Sequence, residues 1–372
     1  MRCHIADMLR AQKRHISFHT PGHKRAGADI TELSYSDDLS DPTGVLALAQ
    51  ADAARILGAD ASFFLTDGST SGIYAMLFAL RRAGKMRVAV PVYAHKSVFH
   101  ACEALGLTPV YIAQGIREGI PCQPTEDALS QALSQADALL LTSPDYYGFF
   151  PPLAAARALC GGAGKPLLAD GAHGSHLHGT PMHAANFADM WVDGVHKSLP
   201  ALTQGAVVSA KGTWTRFLAE GVEFFRTSSP SYLILASIEY ALKSPSDSRT
   251  EAAAVRAKRG LGALDNDDWT KIVVPFGACA DAAQSFLERR GVYPEFNDGN
   301  YLMFYLSPAT RVRQLKKLVR LCRPLARGEL CSDAPVAGMV GGKTVTMRLS
   351  EAVGRTCARA CGIVPPLSLI HI

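Results

Sequence analysis

The chain has 372 residues, 48% hydrophobic and 19% charged. That composition excludes disordered, collagen-like and coiled-coil chains and leaves ample apolar material for a core, and the length points to two domains or one large α/β unit with an appendage. The formal net charge is only +5, with no lysine- or arginine-rich block, which argues against a nucleic-acid partner.

Residues 1–45 read as an N-terminal arm rich in Gly, Pro and Asp, and Leu46–Leu57 as a first amphipathic helix. The stretch from Met1 to His19 carries Arg2, Asp7, Arg10, Lys13 and Arg14 and has no apolar signal-peptide core. No apolar run reaches the roughly 18 residues that span a bilayer. The nine cysteines are odd in number and include no C-x-x-C pair, so the expectation is reduced thiols in a soluble cytoplasmic protein.

From Ser62 to Ser209 short apolar runs alternate with helical spacing. The runs predict strands at Ser62–Leu65, Arg87–Val90, Pro109–Ile112, Ala138–Leu141, Pro166–Ala169, Met190–Val192 and Ala206–Ser209. Helices are predicted at Gly72–Arg82, Ser97–Leu105 and Thr125–Leu133, the last opening on a capping threonine. Strand and helix in alternation imply a mostly parallel sheet covered on both faces. Residues 46–243 thus form a large domain. The polar stretch Ser244–Asp268 reads as a boundary. Lys271–Pro275, Ala278–Arg289, Tyr301–Leu306 and Thr310–Cys322 suggest a smaller α+β domain over 244–372.

In such sheets ligands sit beyond the carboxyl ends of the strands. There the chain places Gly68, Ser69 and Thr70 before a helix, a pattern able to cradle an anion or simply to cap the helix. His95 follows the next strand, and by itself reads as a core histidine as readily as a ligand contact. The loop Ser143–Gly148 reads as a site rim or a plain turn. Asp170 ends an apolar strand, and Lys197 follows another, where lysine is rare unless paired or used. An aspartate, a lysine, a histidine and an anion cradle on one side of a sheet suit pyridoxal phosphate: an amine for its aldehyde, a carboxylate for its ring nitrogen, a helix N-terminus for its phosphate.

The sequence resembles the ornithine/lysine/arginine decarboxylase family of fold-type I pyridoxal-phosphate enzymes, which have the aspartate-aminotransferase-like fold. The resemblance rests on Phe18-His19-Thr20-Pro21-Gly22-His23-Lys24, Asp41-Pro42-Thr43-Gly44, Thr66-Asp67-Gly68-Ser69-Thr70-Ser71-Gly72, His95-Lys96-Ser97 and Asp170-Gly171-Ala172-His173-Gly174. It continues in His196-Lys197-Ser198-Leu199-Pro200-Ala201-Leu202-Thr203-Gln204 and Ser229-Pro230-Ser231-Tyr232, and weakens beyond. It implies decarboxylation of a basic amino acid to its amine, in a homodimer with shared active sites. Lys197 is then the Schiff-base lysine, Asp170 the partner of the pyridine nitrogen, Ala172 the residue under the ring and His95 the residue stacked over it. Gly68, Ser69 and Thr70 hold the phosphate and His173 belongs to the cofactor set. His196, beside the reacting centre, and Lys197 are the candidate proton donors, and Ser229 and Ser231 reach toward a phosphate. Two departures stand out: Gly194 replaces a serine that many members carry three residues before the lysine, and Gly171 replaces an acidic residue.

An aminotransferase or aldolase of the same fold shares these residues, because reaction type depends on which bond to Cα stands perpendicular to the ring. An inert scaffold that keeps the fold is a further alternative. The histidines at 173, 176, 178 and 183, with Asp170, allow a metal-site reading in which His176 and His178 share a strand face. That reading leaves Lys197 and the glycine loop without a role, so no metal is expected. Family members continue past Val364-Pro365-Pro366. Here Leu367–Ile372 matches the translated end of a transposon library adapter, so the expectation is a truncated reading frame with an adapter-derived tail.

Overall fold

The computed structural model describes residues 2–11, 16–24, 29–244 and 248–326. Three of the nine cysteines, Cys331, Cys357 and Cys361, and the Leu367–Ile372 tail fall outside them. In chain order come α1 (His4–Ala11), α2 (Val45–Leu57), β1 (Ala61–Leu65), α3 (Gly68–Arg82), β2 (Arg87–Pro91), α4 (Lys96–Leu105) and β3 (Thr108–Ile112). A small hairpin, β4 (Ile116–Arg117) and β5 (Ile120–Pro121), precedes α5 (Glu126–Ser134). Then follow β6 (Ala138–Thr142), α6 (Leu153–Ala163), β7 (Leu167–Gly171), β8 (Met190–Asp193), the one-turn α7 (Val195–Ser198), β9 (Ala206–Ala210), α8 (Trp214–Phe225) and α9 (Tyr232–Lys243).

Seven of these strands form one sheet in the order β1-β9-β8-β7-β6-β2-β3. From β8 to β3 each neighbouring pair is parallel, and β9 runs antiparallel to both β8 and β1. Both faces are buried, and the alternation along each strand shows how. Leu139, Leu141, Leu167, Ala169, Trp191 and Val207 feed one apolar cluster. Leu140, Leu168, Met190, Val192, Ala206 and Val208 feed the other. Each fully buried leucine or valine contributes about 1.5–3 kcal/mol, so slipping one strand by a residue would exchange its two faces and is strongly disfavoured.

All seven expected strands are present, with ends shifted by a residue or two. The helix after β1 begins at Gly68 rather than Gly72, which makes Gly68, Ser69 and Thr70 its first turn. The stretch read as a polar boundary contains α10 (Ser248–Leu261), whose Ala253, Ala254, Ala257 and Leu261 are buried. Small apolar residues among many charges had masked that stripe. After it come β10 (Lys271–Pro275), α11 (Ala280–Glu288), β11 (Phe296–Asn297), β12 (Tyr301–Tyr305) and α12 (Val312–Ala326). They build a second, antiparallel sheet, β10-β12-β11, with its own apolar cluster.

The N-terminal region carries a helix that the sequence reading did not place. The buried carboxylate of Glu239 accepts the N–H groups of His4 and Ile5 at 2.6 and 2.9 Å, an anion at a helix N-terminus that docks α1 onto α9. Cys3, Cys102, Cys122, Cys160 and Cys322 are free thiols. Among the described residues no helix is long and apolar enough to cross a membrane.

Candidate active site

The residues after β1, β2, β6, β7 and β8 line a cavity of about 250 Å³. Asp170 lies in β7, paired in register with Thr142 of β6 and Val192 of β8, so the sheet fixes its backbone on both sides. It is 3% exposed. One carboxylate oxygen accepts the Ala172 N–H at 3.1 Å, and the other has no protein donor among the described residues. The chain then turns through Ala172 and His173, which both line the cavity.

Lys197 is carried by α7, directly after β8. Its Nζ lies 3.3 Å from His173 Nε2. Burial disfavours its ammonium form and lowers its pKa, and Asp170 and Glu295 oppose that shift. His173 is enclosed, with Tyr146 at its edge (ring centroids 5.0 Å apart) and Tyr305 stacked on it at 5.6 Å. Burial, with Lys197 and Lys271 nearby, holds its pKa well below the ordinary histidine value. A neutral His173 whose Nε2 accepts from Lys197 carries its proton on Nδ1, and Nδ1 is buried without a partner.

His95 is not a core residue. It caps α4: its Nδ1 lies 2.8 Å from Ser97 Oγ and accepts the Ser97 N–H at 3.2 Å, while its ring opens onto the cavity. The protein around it disfavours its charged form and lowers its pKa, against the pull of Asp170. His95→Ala is expected to weaken cofactor binding by about 0.5–1.5 kcal/mol of lost stacking and to lower stability by about 1 kcal/mol through the lost cap. Titration with the cofactor and thermal melting of the same variant separate the two effects. An unchanged affinity would leave His95 as a cap alone.

The two glycines that depart from the family pattern have a steric cause. A Cβ on Gly194 would lie 2.4 Å from the Ala172 carbonyl oxygen, and one on Gly171 would lie 2.8 Å from that of Val192. The turns after β7 and β8 pack backbone against backbone. Gly194→Ser is therefore expected to cost about 1–3 kcal/mol as overpacking rather than to add a phosphate hydroxyl. A variant with an unchanged denaturation midpoint and tighter cofactor binding would contradict this.

The other candidates divide. Ser69 lines the cavity, whereas Thr70, on the same turn as Gly68, is exposed and is not one of its walls. His196 does not line it either: its Nδ1 donates to the Gly205 carbonyl at 2.9 Å. Ser229 is exposed and Ser231 caps α9 by accepting from the Ile234 N–H. The histidines of the metal reading are dispersed. His173 meets Lys197, His176 meets Asp268 at 3.0 Å, His178 bonds the Ser175 carbonyl and His183 meets Asp193 at 3.1 Å. Residues 175–177 form a 3-10 turn rather than a strand.

Behind His173 lies a set the sequence reading did not find. Lys271 is fully buried, its Nζ 2.5 Å from Asp268 and 4.7 Å above the ring of Tyr305. Asp268 also accepts from His176, and these neighbours hold its carboxyl far below the usual range despite burial. The Tyr305 hydroxyl donates to the His173 carbonyl at 3.3 Å. Thus β10 and β12 of the second sheet brace the residue beside Lys197.

Fit to a cofactor can be judged from groups left without partners. The second oxygen of Asp170 has no donor among the described residues, and Thr142 Oγ1 and His173 Nδ1, on residues that line the cavity, are buried and unpartnered. The first turn of α3 offers N–H groups. An aromatic ligand with a protonated ring nitrogen, oxygen substituents and a phosphate suits this donor and acceptor set. Fold and site together define a pyridoxal-phosphate enzyme of the aminotransferase-like class.

Comparison with known proteins narrows the class. Residues 22–257 match the model of the Orn/Lys/Arg decarboxylase major domain, and the chain belongs to that family. It is 31% identical over 360 residues to the uncharacterised protein YaaO of Bacillus subtilis, covering 83% of this chain and 74% of YaaO. It is 28% identical over 432 residues to an arginine decarboxylase of Halalkalibacterium halodurans, covering 96% and 87%. Among solved structures, the constitutive lysine decarboxylase of E. coli superposes with a TM-score of 0.68 at 19% identity. That match covers 87% of this chain and 60% of the other. The serine palmitoyltransferase of Sphingomonas wittichii superposes at 0.61 and 15%, covering 76% of each. The last two are likenesses of fold.

Proposed function

We propose that the protein decarboxylates a basic amino acid, ornithine, lysine or arginine, to the corresponding amine, as a cytoplasmic homodimer that feeds polyamine formation. The observation that carries this reading is Lys197, half-buried beside His173 and lining the same cavity as Asp170, in a chain of the decarboxylase family. Residues 46–243 act as the cofactor domain, and the segment from 244 onward is a smaller domain, whose Lys271 and Tyr305 back His173.

Pyridoxal phosphate, when bound, supplies a conjugated ring that takes up the electron pair left at Cα as carbon dioxide departs. The chain supplies the rest. Lys197 is the amine that anchors the cofactor, and burial disfavours its ammonium form. Asp170 holds a proton on the ring nitrogen through its open oxygen. Ser69 and the N–H groups at the start of α3 hold the phosphate. His95 and Ala172 confine the ring between them. Lys197 and His173 deliver the proton to Cα, in place of His196, which is bonded to Gly205 outside the cavity. Ser229 and Ser231, on the surface of one chain, reach the site of a second copy.

Incubation with each of the three amino acids tests this. One of them is expected to yield carbon dioxide and its amine in equal amounts. Formation of a keto acid without carbon dioxide would make the protein an aminotransferase, and sedimentation as a monomer would refute the shared site.

A further inference from the structure

The geometry points to Lys271 and Asp268, a buried pair at the start of the second sheet, as positioning residues for the Lys197 amine, acting through the rings of Tyr305 and His173. This rests on the reading of Lys197 as the lysine that holds the cofactor, and not on the choice of reaction.

Lys271 opens β10 and stands directly opposite Tyr305 of β12 in the antiparallel register. That register puts its Nζ over the Tyr305 ring, 4.7 Å from the centroid. The Tyr305 ring stacks on His173, with centroids 5.6 Å apart and planes 25° from parallel. His173 Nε2 in turn lies 3.3 Å from Lys197 Nζ. A cation, a phenol ring, an imidazole and the cofactor lysine therefore follow one another in contact. The far end of this series is held from several sides. Asp268 binds Lys271 at 2.5 Å and accepts the Thr270 N–H and hydroxyl at 2.9 and 2.8 Å. The Asp268 N–H donates to the Gly148 carbonyl at 2.9 Å. A Cβ on Gly148 would stand 3.2 Å from Lys271 Cδ, so the 145–149 turn closes onto the lysine stem.

Stability alone does not account for the pair. Burying two ions costs several kcal/mol each, and apolar side chains of similar size often serve as well or better. Nor does the 266–268 turn need the Lys271 amine, because Lys258 already reaches the Asp268 carbonyl at 2.7 Å. What a fixed cation behind Tyr305 changes is the site in front of it. Burial is the largest influence against a charged His173, followed by Lys197, Lys271 and His95, with Asp268 opposing. Burial likewise leads in disfavouring the Lys197 ammonium; Lys271 adds to it, and Asp170 and Glu295 oppose. A neutral His173 offers Nε2 to the amine as an acceptor, which an imidazolium lacks.

The test is labelling of the full-length protein, freed of cofactor, with fluorodinitrobenzene at neutral pH, read at Lys197 by peptide mapping. The reagent attacks only the neutral amine. Asp268→Asn combined with Lys271→Met removes both charges together, keeps an acceptor for Thr270 and strands neither partner. This double variant is expected to slow labelling of Lys197 roughly 3- to 10-fold and to slow the return of the cofactor's visible absorption on reconstitution. Lys258→Met loosens the same turn but leaves Lys271 and both rings in place, so its melting temperature should fall while its Lys197 rate holds. Equal rates in the wild type and the double variant, or an equal fall in Lys258→Met, would overturn the role. Nitrogen NMR of wild-type protein carrying isotope-labelled histidine needs no folded double variant. His173, assigned from a His173→Gln spectrum, should be neutral with its proton on Nδ1, and an imidazolium at neutral pH would equally overturn the role. Carbon dioxide release from lysine, ornithine and arginine is recorded on the reconstituted wild type. Slowed labelling in the double variant without release in the wild type refutes the decarboxylase reading and upholds the positioning role, and release with unchanged labelling does the reverse.

Discussion

Lys197→Ala is expected to fold, to show no covalently held cofactor and to lose turnover by roughly 10⁴-fold or more, because one change removes both the anchoring amine and half of the proton-transfer pair. Two other lysines are near enough to compete for the role. Lys96 lines the cavity at the start of α4, but its amine makes no hydrogen bond or ion pair among the described residues. Lys271 is fully buried and bound to Asp268 at 2.5 Å, so freeing its amine would strand that carboxylate at a cost of several kcal/mol. Among the described residues, only Lys197 joins a lowered pKa to an adjacent acceptor in the cavity. Borohydride reduction of the loaded protein followed by peptide mapping checks the assignment. The modified peptide should contain Lys197; a label on Lys96 or Lys271, or a Lys197→Ala variant that still reduces with retention of cofactor, would refute it. Alanine costs little in the single turn of α7, so a melting temperature close to that of the apoprotein guards against a trivial loss through unfolding.

The sequence made the sheet legible because its strands are short apolar runs, and runs such as Ala138–Leu141 have few other uses in an α/β chain. Lys197 and Asp170 were legible for a related reason: a charge directly after such a run has to be accounted for. Elements held by context were not. Helix α10 hides its stripe in alanines among charges. Helix α1 is short and depends on Glu239, far along the chain. The β4–β5 hairpin has only two residues in each strand. Within the site, the family resemblance named His196, which adjoins Lys197 in sequence. On a tight helical turn, adjacent side chains point in different directions, and the fold instead supplies His173 from the next strand over. Tyr305, Lys271 and Asp268 come from beyond residue 260, where the resemblance fades, and nothing local marks a lysine as buried when its partner is a neighbouring aspartate. Gly194 was read as a departure from a serine that many family members carry. Its cause is the Ala172 carbonyl 2.4 Å from where a Cβ would stand, a contact that only the assembled turns create.

Asp170→Asn tests the electron-sink role with the least disturbance. Asparagine has the same shape and keeps an oxygen for the Ala172 N–H, which Asp170 accepts at 3.1 Å, so β7 and its register should survive and thermal stability should stay within about 1 kcal/mol. What changes is the open oxygen. A neutral amide cannot hold a proton on the ring nitrogen, and the ring then drains electrons from Cα less well. Loss of one preorganised charge-stabilising group costs about 2.7–4 kcal/mol, or 10²–10³ in kcat. The loss should fall on kcat more than on KM, because the charge that Asp170 answers develops mainly as the carboxylate leaves. If Asp170 served only to close the turn at Ala172, asparagine would replace it with no effect on rate. Near-normal kcat in a folded, cofactor-loaded Asp170→Asn variant would therefore remove Asp170 from the chemistry. A 10²–10³-fold fall in kcat with an unchanged melting temperature would assign its open oxygen to the ring.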